Sequence, residues 1–305
     1  MTKNLFSGTG VALITPFRKQ GGTIDFSKLG RVIEYIIDGG VDYIVVLGTT
    51  SEAATLTALE RSTVQDYVIE TVNDRVPLML GMGGNDTQAV VDTINTTSFD
   101  GINGILSVTP YYNKPSQKGL MQHFHRIAEA SPVPVVVYNV PGRTGCNLMA
   151  ETTLQLAEES NIIAIKEASG NLQQIMEILR HKPENFQVIS GDDSLTYPMM
   201  CLGASGVISV LANALPKHMS QMVSSARKGD YRKALNFHNA MLPLMRSIFD
   251  EGNPTGVKAL MEAMNAVDNS TPAIANTLRS PLVKASKELS SKLKQQYVDF
   301  AGKKV

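Results

Sequence analysis

Lys166 is the residue of this sequence whose position is most directly linked to chemistry. It closes the apolar run 162–165, which is typical of a buried strand, and Glu167 follows it. An ammonium on a buried strand loses its hydration, so either a carboxylate keeps it charged or its pKa falls and a free amine appears. Because a free amine attacks ketones, Lys166 is a candidate Schiff-base nucleophile. The alternative is a charge at a strand end that is solvated or paired with Glu167.

Four other polar residues could assist such a lysine. The hydroxyl and backbone N–H groups of Thr49 and Thr50 could hold the carboxylate of an α-keto acid. Tyr138 could transfer protons to and from a carbinolamine, and Arg143 offers a bidentate fork for a second carboxylate. Each residue also has a structural alternative: a helix N-cap for the threonines, a core position for the tyrosine and a solvated loop for the arginine.

Other chemical signals are weaker. The glycine-rich stretch 81–84 lacks the lysine and hydroxyl residue of a phosphate-binding loop. Asp192 and Asp193 precede a predicted helical turn and are interpreted as a helix cap. The histidines form no ligand cluster, and His123 and His125 lie on a predicted surface helix, so we expect no metal.

The elements that must position these residues alternate along the chain. Eight short apolar runs cover 11–14, 43–47, 78–82, 104–108, 133–138, 162–166, 187–190 and 206–210. Stretches with helical spacing lie between them, which predicts parallel strands joined by helices and buried on both faces. We therefore predict a closed (β/α)8 TIM barrel. An open doubly wound sheet is disfavoured because the glycines at 8 and 10 precede their strand instead of following it.

The last part of the sequence contains only helical patterns. These cover 216–227, 231–249, 255–264 and 281–300, and Gly229-Asp230 reads as a helix stop followed by an N-cap. The predicted organisation is a barrel over 1–228 and a C-terminal all-helical domain over 229–305. In such a barrel the active site lies at the carboxyl ends of the strands, where the polar residues above are expected to converge.

Composition excludes several classes of protein. The 305 residues are 43% hydrophobic, and 28 basic residues balance 28 acidic ones, so no basic surface for nucleic acid or anionic membranes is expected. The two cysteines, Cys146 and Cys201, lack the spacing of a disulfide framework or metal site. With no apparent signal peptide or membrane span, we expect a cytoplasmic protein.

Several motifs together carry a family resemblance. They are Gly48-Thr49-Thr50 with Glu52, Tyr111-Tyr112-Asn113-Lys114-Pro115, Tyr138-Asn139-Val140-Pro141 with Arg143-Thr144-Gly145, Ile165-Lys166-Glu167, Ser190-Gly191-Asp192-Asp193 and Gly206-Val207-Ile208-Ser209. From about Gly8 to past Lys258 the sequence resembles the dihydrodipicolinate synthases, within the N-acetylneuraminate lyase group of class I aldolases. The resemblance implies condensation of pyruvate with L-aspartate 4-semialdehyde in lysine and diaminopimelate biosynthesis, without a cofactor.

The resemblance also implies roles in proton transfer. Lys166 is the implied nucleophile, and Tyr138, Thr50 and Tyr112 form a proton relay. Tyr112 is expected to enter the site of a neighbouring subunit. A tight dimer, and commonly a tetramer built from two such dimers, would then be part of the catalytic apparatus.

Further roles concern substrate binding. Thr49 and Thr50 are expected to hold the pyruvate carboxylate, and Arg143 the carboxylate of the semialdehyde. Gly191 and Ile208 are expected to line the site through their backbones.

The sequence departs from the family pattern at two groups of positions. Ser51 replaces a usual glycine and Gly256 a usual proline. In members that lysine inhibits, the effector site uses two histidines and a glutamate, where this chain has Ala58, Arg61 and Ala89, although Asn85 and Tyr111 remain. Losing the carboxylate leaves the effector's ammonium without its partner, so we predict weak or absent feedback inhibition.

Two other functions fit the same lysine. A sibling aldolase would cleave a sialic acid or a 2-keto-3-deoxy sugar acid through the same imine, but a polyol substrate would require more hydroxyl and carboxylate partners than Arg143 offers. A catalytically silent barrel that binds pyruvate is the alternative of another class. It is disfavoured because every proposed catalytic position is filled.

Overall fold

Eight parallel strands form a closed barrel in the computed structural model, which describes residues 5–302. The strands are β1 (Gly8–Ala12), β2 (Tyr43–Val46), β3 (Leu78–Gly81), β4 (Gly104–Val108), β5 (Val135–Asn139), β6 (Ile162–Glu167), β7 (Gln187–Ser190) and β8 (Gly206–Ser209). Each strand pairs with its neighbours in sequence, and β8 closes the barrel against β1. The predicted (β/α)8 architecture is therefore confirmed.

Helices surround the barrel and continue beyond it. They are α1 (Phe26–Asp38), α2 (Ala58–Val72), α3 (Thr87–Thr96), α4 (Gln117–Ala130), α5 (Pro141–Thr144), α6 (Ala150–Leu156), α7 (Leu172–His181), α8 (Thr196–Cys201), α9 (Pro216–Arg227), α10 (Tyr231–Ser247), α11 (Thr255–Asp268) and α12 (Lys287–Ala301). Helices α10 to α12 form the predicted C-terminal helical region.

Helix ends follow local capping groups. The Asp230 side chain accepts a hydrogen bond from the Lys233 N–H at the start of α10, which confirms the predicted N-cap. The last helix begins at Lys287 and not at 281 as predicted, because Ser286 is its N-cap and accepts from the Leu289 N–H. The division into two domains at residue 228 stays a prediction.

Strand β6 shows how the barrel orients its side chains. Ala164 packs inside the barrel, whereas Ile165 belongs to the layer between the strands and the helices. Successive side chains on a strand point to opposite faces, so Lys166 shares the inner face with Ala164 and Glu167 shares the outer face with Ile165. Lys166 is also the register partner of Tyr138 on β5, which places these two side chains next to each other.

Candidate active site

A cavity of about 490 Å³ opens at the carboxyl ends of the strands. Six of the predicted site residues line it: Thr49, Thr50, Tyr138, Arg143, Lys166 and Gly191. The fold therefore brings together residues that are separated by up to 142 positions in the sequence. Ile208 and Tyr112 are placed differently, as described below.

Lys166 is buried at the cavity, with only 6% of its surface exposed. Its Nζ lies 4.2 Å from the centroid of the Tyr138 ring. Among residues 5–302 no carboxylate forms a salt bridge with Lys166. Burial lowers the pKa of Lys166 to about 7; the negative charge of Asp193 opposes this shift and the positive charge of Arg143 adds to it. A substantial fraction of the side chain is therefore a free amine at neutral pH.

Glu167 is not the partner of Lys166, so the strand-end ion pair considered from the sequence is wrong. The Glu167 carboxylate points to the outer face of the barrel, where it accepts hydrogen bonds from the Ser169 N–H at 2.7 Å and Asn139 Nδ2 at 3.1 Å. Gln174 Nε2 on α7 donates to it at 3.2 Å. Because the strand alternates faces, the residue next to Lys166 in sequence cannot neutralise it.

Tyr138 is also buried, with 7% of its surface exposed. Burial raises the pKa of its phenol, while the positive charge of Arg143 and a hydrogen bond with the Thr49 side chain oppose the rise. The phenol is therefore protonated at neutral pH and has a hydroxyl partner. A protonated phenol beside a free amine can act as a general acid when the amine attacks a carbonyl.

The two threonines form part of a short 3-10 turn, Thr49–Ser51, that follows β2. Thr49 is exposed to the cavity, whereas Thr50 is only 2% exposed. Thr50 Oγ1 accepts a hydrogen bond from Asn253 Nδ2 at 2.9 Å. Ser51 Oγ donates to the Leu13 carbonyl at 2.6 Å, so the serine that replaces the usual family glycine fastens the turn to the barrel. The helix N-cap considered for these threonines is not formed, because α2 is capped by Thr57.

Arg143 lies on the short helix α5, which begins with Pro141 directly after β5. The side chain is exposed and lines the cavity wall. In this position the guanidinium can receive a carboxylate that enters from solvent, and its charge also acts on the two buried groups, Lys166 and Tyr138. The geometry thus supports the binding role predicted from the sequence.

Gly191 has little space for a side chain. A Cβ atom at this position would lie 2.7 Å from the Ala168 Cβ and 3.1 Å from Lys166 Cε. Glycine therefore leaves space for the lysine stem beside the cavity. Ile208 is buried at 1% exposure and packs in the inner barrel cluster with Tyr138 and Ala164, so its side chain belongs to the core.

Tyr112 stands apart from the site of its own chain. Its side chain is 89% exposed and its backbone φ is +73°, a conformation that is costly for a tyrosine. The neighbouring Tyr111 lines the cavity instead. The single chain therefore does not bring Tyr112 to Lys166.

Sequence reasoning missed a group of residues from distant parts of the chain. Glu52 directly follows the threonine turn, and its buried carboxylate pairs with Lys258 of α11 at 2.6 Å. Asn253, which precedes α11, lines the cavity and contacts Thr50. The family motifs contained Glu52 and extended to Lys258, but nothing in the sequence indicated that the two residues pair.

Two interpretations of acidic and histidine residues need correction. Asp192 caps the following turn as predicted, but Asp193 is 2% exposed and accepts from Ser209 Oγ and from the Val210 and Leu211 N–H groups. Burial raises the pKa of Asp193 to about 6, and the hydrogen bonds oppose this shift. His123 is buried at 3% exposure, not on a surface, because it lies on the apolar side of α4.

Across residues 5–302 no three His, Cys, Asp or Glu side chains are grouped so that they could hold a metal ion. In the same range, no helix is long and apolar enough to cross a membrane.

Comparisons with known proteins agree with this geometry. The sequence profile of the dihydrodipicolinate synthetase family matches residues 5–298. A 4-hydroxy-tetrahydrodipicolinate synthase from Parabacteroides distasonis is 50% identical over 277 residues, which cover 90% of this chain and 91% of the relative. The corresponding enzyme from Phocaeicola vulgatus is 48% identical and covers 93% of both chains.

Solved structures give the same result. A dihydrodipicolinate synthase from Thermotoga maritima superimposes with a TM-score of 0.92 at 36% identity, covering 97% of this chain and 99% of its own. A structure described as the first monomeric dihydrodipicolinate synthase variant has a TM-score of 0.93 at 36% identity and covers 98% of both chains.

Proposed function

Because this chain belongs to the dihydrodipicolinate synthetase family, we propose that it condenses pyruvate with L-aspartate 4-semialdehyde to 4-hydroxy-tetrahydrodipicolinate, a step toward diaminopimelate and lysine. The observation that carries the proposal is a buried lysine that pairs with no carboxylate among residues 5–302 and is the register partner of a buried tyrosine at the cavity. A substrate that is a ketone would find there a free amine and a proton donor.

The proposed reaction begins with the Lys166 amine, which attacks the keto carbon of pyruvate to give a carbinolamine. Tyr138 protonates the departing hydroxyl, water leaves, and a protonated imine remains on the lysine. The hydroxyl of Thr49 and the turn around it hold the pyruvate carboxylate. The imine then draws electrons from the pyruvate methyl group, which loses a proton and becomes a nucleophilic enamine.

In the second half of the reaction the enamine carbon attacks the aldehyde carbon of the semialdehyde, whose carboxylate Arg143 binds. The amino group of the same substrate then attacks the imine carbon and closes a ring. Lys166 leaves as a free amine, so one water molecule is released for each pair of substrates and no cofactor is consumed.

Borohydride trapping tests this mechanism directly. We expect that borohydride added with pyruvate fixes a three-carbon adduct on Lys166, which peptide mass spectrometry identifies. Absence of the adduct at saturating pyruvate would contradict the mechanism. A comparison of L-aspartate 4-semialdehyde with N-acetylneuraminate and 2-keto-3-deoxy sugar acids then tests the substrate, since the same adduct would form in a sibling aldolase.

The oligomeric state belongs to the same proposal. Exposure of Tyr112 at 89%, together with its costly backbone conformation, supports a role outside its own chain. We propose that it enters the site of a neighbouring copy and joins the relay of Tyr138 and Thr50 in a dimer, two of which form a tetramer. Mixed Lys166→Ala and Tyr112→Phe chains should regain activity as heterodimers, because one site then receives both native groups. No regain after verified subunit exchange would place Tyr112 in its own site.

Regulation and location complete the proposal. Ala58, Arg61, Asn85 and Ala89 line a second cavity of about 540 Å³, where the family's effector carboxylate is missing at Ala89. We expect submillimolar L-lysine to leave the steady-state rate nearly unchanged, and strong inhibition would contradict this. A cytoplasmic location is supported by the cysteines, which are both free thiols.

A further inference from the structure

The C-terminal helical region reaches the catalytic hydroxyls through Asn253. This residue lies between α10 and α11, and its Nδ2 donates to Thr50 Oγ1 at 2.9 Å across 203 residues of sequence. Both side chains are buried, at 8% and 2% exposure, and both line the cavity that contains Lys166. The contact therefore joins the helical region to a member of the proposed proton relay.

A hydroxyl carries one hydrogen and two acceptor sites, so its partners decide in which direction it donates. The Asn253 amide occupies one acceptor site of Thr50, and the hydrogen of Thr50 must then point elsewhere. We propose that Asn253 is a positioning residue that turns the Thr50 hydrogen toward the cavity and so sets the direction of proton transfer. This inference rests on the proposed function, in which Thr50 belongs to the relay.

The surroundings of Asn253 support its role as a hydrogen-bond donor to Thr50. Among the residues that the structure describes, Asn253 Oδ1 is buried and has no hydrogen-bond partner. Burying a polar atom without a partner is unfavourable, whereas Nδ2 of the same amide has Thr50 Oγ1 as its acceptor. The reversed amide would accept from Thr50 and draw its hydrogen away from the cavity. The two orientations thus give opposite relay directions, which an experiment can separate.

Packing on both sides fixes the distance between Asn253 and Thr50. Next to the threonine turn, Glu52 pairs with Lys258 at 2.6 Å and accepts from the Arg279 N–H at 3.0 Å. On the other side, Gly256 N donates to the Gly252 carbonyl at 3.3 Å. A Cβ atom at Gly256 would lie 2.1 Å from the Ile248 carbonyl oxygen, so this segment packs closely onto the end of α10. The position of the Asn253 amide is therefore set by the fold.

Two substitutions test the direction of donation. Asn253→Ala removes the donor, and Asn253→Asp keeps the shape but, when ionised, can only accept a hydrogen bond. We expect the alanine variant to lose about 10- to 100-fold in kcat, which is at or below the lower end of the roughly 10²- to 10⁴-fold contribution of general acid–base catalysis, with a smaller change in the KM for pyruvate. The aspartate variant should be the weaker of the two between pH 6 and 8.5, because its carboxylate accepts from Thr50 and draws the Thr50 hydrogen away from the cavity.

A matched control measures the loss of an amide bond as such. Asn265 on α11 donates to the Thr271 carbonyl at 2.8 Å and does not line the cavity, so Asn265→Ala should keep kcat. If Asn253→Ala is unstable, the kcat of Asn253→Asp relative to unmodified enzyme remains decisive because the shape is preserved. Unchanged kcat in both Asn253 variants, or an aspartate variant that is no weaker than the alanine variant, would overturn the inference.

The same experiment separates this inference from the proposed function. Borohydride trapping of pyruvate on Lys166 in the unmodified enzyme is measured first. If no adduct forms, the proposed function fails and the inference fails with it. If the adduct forms, both substrates turn over and the Asn253 variants behave like Asn265→Ala, only the inference fails.

Discussion

Lys166 and Lys258 are two buried lysines in different parts of the molecule, and they differ in one respect. Their side chains are 6% and 0% exposed, and each Nζ lies over an aromatic ring, 4.2 Å from the centroid of Tyr138 and 4.4 Å from that of Phe17. Lys258 has a carboxylate, Glu52, at 2.6 Å and donates to the Thr277 carbonyl, whereas Lys166 has no such partner among the described residues.

The comparison shows that burial alone does not make an amine reactive. Burial lowers the pKa of both lysines, but in the helical region Glu52 opposes the shift of Lys258 through direct contact. At the barrel, Asp193 acts on Lys166 only through its charge, and Arg143 acts in the opposite direction. Lys258 is therefore part of an internal ion pair that holds the threonine turn, and Lys166 remains available for chemistry.

The largest expected difference between the two lysines is in catalysis. Lys166→Met should lower kcat on the order of 10⁴-fold or more, since the covalent intermediate cannot form, and the borohydride adduct should disappear. Lys292→Met removes an exposed lysine that pairs with Asp250 and should keep kcat within about twofold. A Lys166→Met enzyme with more than a tenth of normal kcat would place the nucleophile elsewhere.

The second largest expected effect is on stability and concerns Lys258. Lys258→Met leaves the buried Glu52 without its cation, and breaking a buried pair in this way costs about 3–5 kcal/mol. The double variant Glu52→Gln/Lys258→Met removes both charges of this pair and should recover part of this loss. Urea unfolding at fixed chain concentration measures these two variants and the single variant Glu52→Gln. If the double variant is as unstable as the sum of the two single ones, the ion pair contributes no coupling.

At Lys166, substitution by methionine should change the unfolding free energy in the opposite direction. With a pKa near 7, against about 10.4 in the unfolded chain, Lys166 binds fewer protons when folded, so stability rises with pH between these values. Its destabilising effect is greatest below pH 7. Lys166→Met should therefore raise the unfolding free energy near pH 6.5 by up to about 5 kcal/mol, the value that the lowered pKa implies. The gain should shrink toward pH 10, and a gain that does not change with pH would show that packing, not charge, is its source.

The sequence was sufficient to predict the strands, but not every contact of the helices. The strands could be predicted because apolar runs repeat with helical stretches between them. The observed strand ends differ from the predicted ones by up to three residues, because hydrogen-bond register depends on the neighbouring strands and not on one apolar run alone. His123 was misplaced although a signal existed: it lies three residues after Leu120 and one before Phe124, on the buried side of α4. Its Nδ1 lies 2.9 Å from Thr87 Oγ1 of α3.

The candidate active site also contains residues that could be predicted from the sequence and residues that could not. Residues that end strands, such as Lys166 and Tyr138, could be predicted because a barrel brings all strand ends to one rim. The contacts of Asn253 and Lys258 could not, because 203 and 206 residues separate them from their partners and no periodicity links them. Gly256, noted only as a departure from the family, is explained by its close approach to Ile248.

The smallest expected effect is the pH dependence of imine formation, and it tests the comparison most finely. Only the neutral amine attacks pyruvate, so the trapping rate at low pyruvate should rise about tenfold per pH unit below 7 and level off above it. An ordinary lysine would still gain at pH 9. Protonation of Asp193, whose pKa is about 6, removes a charge that favours the ammonium, so the trapping rate should fall less steeply with decreasing pH below about 6. In Asp193→Asn the plateau should begin at a lower pH, and a plateau that stays near 7 would mean that Asp193 does not act on the lysine.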